Sequence, residues 1–202
     1  MKRAYSVDNV LHAKFETFPF EGEWEAAIGH PERSGTWMIY GPPKNGKTTF
    51  AMKLAKYLTR FERVAYNSVE EGLSLSIQHV FDRVGMKEVK SRLVLLDRDS
   101  VDDLVKRLQV HRSPGVVVID SIQFWEMDFK TYKRLKEAFP NKVFIYVSHI
   151  EGGVPQGSTA RRVWRDASVA FRVDRFKAFP VGRFGGGEPI VISEEQAEEL
   201  WG

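Results

Sequence analysis

The chain has 202 residues, 30 basic and 27 acidic side chains, a net charge of +3, 43% hydrophobic residues and no cysteine. These values suit one α/β domain with a sizeable core, and they exclude a disulfide scaffold and a thiolate metal centre. No apolar run is long enough to cross a bilayer, Met1-Lys2-Arg3 opens no signal-peptide core, and the lack of cysteine fits a reducing, cytoplasmic setting without a membrane partner.

Residues 1–34 mix short apolar points with charge, Gly and Pro, and read as an N-terminal arm with a short helix near Trp24 to Ile28. The apolar points Val10, Leu11, Phe15, Phe18 and Phe20 suit either a lid on the domain's own edge or an arm swapped between subunits. From Gly35 the texture changes to apolar runs alternating with helical periodicity, and a core is predicted over 35–193. Trp37–Tyr40 reads as a strand and Thr49–Arg60 as a helix. Val64–Asn67 is a second strand, and Glu71–Val84 a second helix with Leu73, Ile77, Val80 and Phe81 on one face. Leu93–Leu96 is a third strand. Ser100 with Asp103 starts a helix through Val110 in the manner of a capping box. Val116–Ile119 and Val143–Val147 are fully apolar, as buried parallel strands are, and Phe129–Phe139 between them is helical and stops at Pro140. This rhythm predicts a mainly parallel twisted sheet flanked by helices. Ile150 to Ala160 carries Gly, Ser and Pro and reads as a mobile loop. Val169–Val173, Arg175–Phe179 and Ile190–Ile192 read as further strands, some of them antiparallel. Ser193 with Gln196 caps a short acidic helix in 194–202, which suits either the chain's own sheet or a partner.

The charge is unevenly placed. Between Arg161 and Arg183 lie seven basic residues (Arg161, Arg162, Arg165, Arg172, Arg175, Lys177, Arg183) against Asp166 and Asp174. From Phe184 onward there are five glutamates and no base. The first zone can face an anionic polymer or a neighbour's nucleotide; the second cannot.

The chemistry centres on Gly41, Pro42, Pro43, Lys44, Asn45, Gly46, Lys47, Thr48 and Thr49, which fit the phosphate-loop pattern G-x-x-x-x-G-K-[ST] between a predicted strand and a predicted helix. Gly41 and Gly46 allow the backbone to curl so that its amides face phosphate oxygens, and the helix N-terminus adds partial positive charge there. Lys47 can reach the β- and γ-phosphates of ATP, and the Thr48 hydroxyl can ligate Mg²⁺. The run Val116–Ile119 ends at Asp120, a carboxylate placed to serve the same ion; the alternative is a turn or cap residue. Val64–Asn67 leads to Glu70 and Glu71. Glu70 is the candidate to orient an attacking water, with Glu71 left to the helix that follows. Val143–Val147 ends at Ser148-His149, and His149 can either sense the γ-phosphate or serve structure alone.

The order GPPKNGKTT, YNSVEEG, VVVIDSIQ, YVSHIEGG and RFG resembles the RecA-type P-loop ATPase superfamily, its bacterial RadA branch first and the hexameric DnaB-type helicase core next. The resemblance spans about Gly35 to Ile192. It implies a RecA-like fold, ATP and Mg²⁺, and homo-oligomers in the form of a hexamer or filament. It matches Glu70 to the catalytic glutamate, Asp120 to the Mg²⁺-associated aspartate and His149 to the residue coupling the γ-phosphate to the next loop. It matches 150–160 to a flexible DNA-contacting loop. Gly153 allows close approach there, and Thr159 with Arg161, Arg162 and Arg165 can supply phosphate contacts to single-stranded DNA; the alternative is that the arginines pair with a partner subunit's acids. Trp164 beside them can stack on a base or belong to the core. Arg183-Phe184-Gly185 resembles the end of the RadA signature Lys-Asn-Arg-Phe-Gly, whose basic residues reach the next subunit's ATP; Val181 and Gly182 stand in place of the Lys and Asn. Two functions are therefore expected: a motor core that couples ATP turnover to single-stranded DNA in recombination or replication, or an ATP-dependent regulatory or assembly protein without DNA binding. A small-molecule kinase is disfavoured, since no arginine-rich lid follows a substrate-binding helix.

Overall fold

A computed structural model describes residues 4–201. The first three residues of the expected arm and Gly202 of the expected final segment lie outside the described residues. Helices α1 (Val7–Leu11) and α2 (Glu23–Ile28) precede β1 (Gly35–Tyr40), α3 (Lys47–Leu58), β2 (Val64–Ser68), α4 (Leu75–Val84), β3 (Leu93–Asp97) and α5 (Val101–Gln109). Then come β4 (Val116–Asp120), α6 (Phe129–Ala138), β5 (Val143–Ser148), the short strands β6 (Ile150–Glu151) and β7 (Val154–Pro155), and α7 (Ser158–Asp166). The chain closes with β8 (Val169–Asp174), β9 (Lys177–Gly182), β10 (Ile190–Val191) and α8 (Glu194–Trp201).

Eight strands form one sheet in the order β10-β9-β8-β1-β5-β4-β2-β3, parallel from β8 to β3, with β9 and β10 antiparallel at one edge. The near-continuous apolar runs follow from burial on both faces. Alternation along β1 divides them: Trp37 and Ile39 enter the core beneath α3, α4 and the arm, while Met38 and Tyr40 enter the core beneath α5, α6 and α7. Each large side chain buried this way, such as Phe50 or Phe171, contributes on the order of 1.5–3 kcal/mol. Among the described residues no helix is long and apolar enough to cross a membrane.

The two halves of the arm differ. Phe18, Phe20, Trp24, Ala27 and Ile28 are buried in the first core, and Phe20 and Trp24 pack on Tyr57 of α3. Val7, Val10, Leu11 and Phe15 are exposed, although α1 is closed by a capping box between Ser6 and Asn9.

Three expectations are corrected. The helix expected from Glu71 begins at Leu75, because Ser74 accepts from the Ile77 amide as its cap while Glu70 to Gly72 turn, with Gly72 left-handed at φ 63°. Glu71 is therefore no first-turn residue, and Leu73 is 74% exposed rather than on the buried face. The expected strand Arg175–Phe179 starts at Lys177, because Arg175 and Phe176 form a tight turn with φ of 43° and 57°. The expected mobile loop 150–160 is the β6–β7 hairpin, turned by Gly152 and Gly153 at positive φ, followed at once by α7.

Candidate nucleotide site

The phosphate loop leaves β1 at Gly41 and enters α3 at Lys47. A Cβ on Gly41 would lie 2.0 Å from the Val173 carbonyl oxygen, so a side chain is excluded there by the neighbouring strand β8, not by loop curvature. Curvature falls instead to Lys44 and Gly46, both left-handed at φ 60° and 94°. Asn45 fixes the bend from outside: its Nδ2 donates to Pro43 O, and its Oδ1 accepts from the Arg175 amide at 2.7 Å. Among the described residues, none accepts a hydrogen bond from the amides of 44–48, which lie ahead of the first helical bond, Phe50 N–H to Gly46 O. A row of such donors at a helix N-terminus is an anion cradle. Lys47 is buried, and its Nζ donates to Pro42 O at 2.7 Å. Burial holds its ammonium below the usual lysine range, while the charges of Asp120 and Glu70 pull it back.

The acids of the site come from the ends of β2 and β4, and His149 joins them from the end of β5. Asp120 is buried and accepts from Tyr66 Oη at 2.6 Å, and it lines the same cleft as Thr48. Burial raises its carboxyl above the usual range, and the hydroxyls of Tyr66 and Thr48 act against that. The Asp120–Ser121 peptide is cis. Backbone bonds from Val69 N and Glu70 N to Asp120 O pin the β2 exit against the β4 exit. Glu70 Oε2 takes two contacts of 3.1 Å, one from Ser121 Oγ and one with His149 Nε2. The expected residues Lys47, Thr48, Glu70, Asp120 and His149 thus line one cleft of about 420 Å³.

Three further residues at this cleft carry no sequence signal that places them there: Arg83 of α4, Phe176 of the β8–β9 turn and Gln196 of α8, which the sequence marks only as a helix-cap residue. Phe176 N–H donates to Asn45 O, and the Phe176 ring fills the space that a Cβ on Gly46 would need, 2.9 Å away. Arg83 reaches Thr49 Oγ1 at 3.5 Å. The Thr48 hydroxyl beside the Asp120 carboxylate is a hard oxygen pair of the kind Mg²⁺ takes. Among the described residues no group of three or more His, Cys, Asp or Glu side chains is arranged for a metal ion. Mg²⁺ on a triphosphate asks for no such group, since it keeps several waters and takes one or two protein oxygens.

No protein-family model matches the chain, and no curated protein matches it. Solved structures do. The flagellar accessory protein FlaH from Methanocaldococcus jannaschii is 17% identical with a TM-score of 0.61, covering 88% of this chain and 94% of its own. A KaiC-like protein from the hyperthermophilic archaeon Pyrococcus horikoshii is 16% identical with a TM-score of 0.59, covering 82% and 88%. The RadB recombinase is 18% identical with a TM-score of 0.57, covering 86% and 94%. The chain has the RecA-like fold.

Within this RecA-type core the remaining expected residues lie elsewhere. Gly153 is at the tip of the β6–β7 hairpin, whose one charged residue is Glu151. Thr159, Arg161, Arg162 and Arg165 belong to α7 rather than to a loop, and Arg162 lies 3.7 Å over the Phe129 ring of α6. Trp164 takes its core alternative, half-buried with its ring 5.7 Å from Tyr40. Arg183 is exposed at the far end of the sheet, where its amide donates to Ser168 O, beside a cavity it shares with Lys142 and Asp166.

Proposed function

We propose that this protein is a Mg²⁺-dependent ATPase that assembles as a hexamer or filament and couples turnover to a grip on single-stranded DNA. The observation that carries the ATPase reading is the convergence, in one cleft, of the unbonded loop amides, Lys47, the Thr48–Asp120 pair and Glu70. In this reading the loop amides and Lys47 bind the triphosphate, and Thr48 and Asp120 hold the metal ion, which supplies charge neutralisation at the phosphate oxygens. Glu70 orients the attacking water and accepts its proton. To do so it exchanges its bonds to Ser121 and His149 for the water, so hydrolysis is tied to the release of His149. Arg183 acts on a neighbouring subunit's nucleotide.

The DNA reading draws support from Arg161, Arg162 and Arg165 on α7 together with Lys130, Lys133 and Arg134 on the adjoining α6. Assembly draws support from the exposed apolar residues of α1 and from a groove of about 490 Å³ flanked by the exposed Leu73 and Leu75. The test is ATPase rate and solution mass with and without single-stranded DNA. Stimulation by DNA that disappears in Arg161→Ala/Arg162→Ala supports the motor reading; no hydrolysis under any condition would end it. A second reading, ATP-dependent assembly on a protein partner, is favoured by the acidic hairpin tip and by the likeness to an accessory protein. ATP-driven assembly with no response to DNA would select it.

A further inference from the structure

The β6–β7 hairpin is joined to the nucleotide cleft by one side chain outside the cleft. Gln123 follows Asp120, Ser121 and Ile122 in the turn after β4. Its Nε2 donates to Ser148 Oγ at 2.8 Å and to Gln156 O at 3.0 Å. Its Oε1 accepts from the His149 amide at 3.3 Å. Both N–H groups and one lone pair of the carbonyl oxygen are therefore in use, three of the four bonds a glutamine amide can make. Ser148 and His149 stand at the entry to the hairpin and Gln156 at its exit, where Gln156 N–H closes the base on His149 O. Two residues before Gln123, Ser121 Oγ contacts Glu70, and the turn is anchored by Ile122 N–H to Val147 O. Glu70 is thus linked to the hairpin base by two routes, directly through His149 and through Ser121 and the Gln123 turn.

We infer that Gln123 is a positioning residue that clasps both ends of the 149–156 hairpin and makes its placement follow the state of Glu70. The coupling half rests on the nucleotide reading above; the clasp rests on geometry alone. When Glu70 leaves Ser121 and His149 for a water, both routes slacken at once. The amide of Gln123 is then the group that carries the shift of the β4 turn to the exit of the hairpin, since no other side chain bonds the turn to Gln156 among the described residues.

The test is hydrogen exchange of the segment 149–156 in wild type, Gln123→Ala and Gln123→Glu, with and without ATP and Mg²⁺. Glutamate keeps the size of glutamine but cannot donate to Ser148 or Gln156. Without nucleotide, both variants are expected to exchange this segment faster by about tenfold, the worth of one to two hydrogen bonds. A volume-filling role would leave Gln123→Glu at the wild-type rate, and that result overturns the clasp. With nucleotide, wild type is expected to change its exchange in 149–156, and both variants to lose that response while binding nucleotide with unchanged affinity. A full wild-type response in either variant overturns the coupling. If wild type takes up no nucleotide, the site reading and the coupling fail together, while the nucleotide-free comparison still decides the clasp.

Discussion

Gly41 is the position where two explanations of a motif residue part. Loop curvature would make Gly41→Ala a nucleotide-binding defect; the packing seen here makes it a folding defect. The added Cβ would sit 2.0 Å from Val173 O and 3.0 Å from Val173 C, both backbone atoms of β8. An ordinary carbon–oxygen contact is about 3.3 Å, so β8 must retreat by roughly 1.3 Å. One residue back, Tyr40 pairs with Arg172, and a shift of that size breaks the nearest hydrogen bonds of the pair. Two such bonds at about 1 kcal/mol each, with about 1–3 kcal/mol of overpacking, give roughly 3–5 kcal/mol. At about 2–4 °C per kcal/mol for a chain of this size, Tm should fall by roughly 6–20 °C in a melt without nucleotide. Gly46→Ala is the contrast: it meets the movable ring of Phe176 and a left-handed φ, and should cost roughly 1–2 kcal/mol. Gly41→Ala melting within about 2 °C of wild type, with nucleotide binding lost, would refute the packing explanation.

Lys47→Ala should abolish nucleotide binding or turnover, read by equilibrium binding and phosphate release; unchanged turnover would move the active site elsewhere. Glu70→Gln should keep binding and lose turnover by about 10²–10⁴-fold, whereas Glu71→Gln should stay near wild type; the reverse pattern would exchange their roles. Asp120→Asn tests the buried carboxyl through pH. Burial raises its folded pKa above the unfolded 3.8, so its contribution to stability is fully present below 3.8 and lost as pH rises through the folded value. The variant should therefore melt higher than wild type at pH 7 without nucleotide, the gain shrinking toward pH 4. A variant that melts lower at pH 7 would refute that sign. Arg183→Ala should leave nucleotide affinity intact and remove the dependence of turnover on protein concentration, measured by dilution.

Lys47, Thr48, Glu70, Asp120 and His149 are legible in the sequence for one physical reason. Each lies just beyond an apolar run, and the runs are parallel strands whose ends converge. Phe176 and Gln196 are not legible, because they arrive from the antiparallel edge, where strands are short and half-exposed. Their approach depends on a turn built from Arg175 and Phe176, a pair with none of the Gly or Asn that announces positive φ. That conformation is held from outside by Asn45, through Arg175 N–H to Oδ1 and Phe176 N–H to O, a contact no local pattern records. The Gly152-Gly153 turn is the converse case. Its glycines are plain in the sequence, but glycine richness alone does not distinguish a tight hairpin from a loop.

The β8–β9 hairpin gives the molecule its polarity. β8 runs with β1, so its turn at Arg175 and Phe176 meets the phosphate loop, and β9 runs back until Gly182 pairs with Val169. Arg183 follows directly. A strand of this length spans about 20 Å at 3.3 Å per residue, so the two ends of one hairpin stand far apart. Arg183 therefore cannot serve the cleft that Phe176 borders. If it serves any nucleotide, that nucleotide belongs to another copy stacked so that the far end of one sheet meets the cleft of the next. In such a stack the β8–β9 hairpin would lie between successive sites, with its Arg175–Phe176 turn held by Asn45 at one phosphate loop and Arg183 at the other end, facing the next.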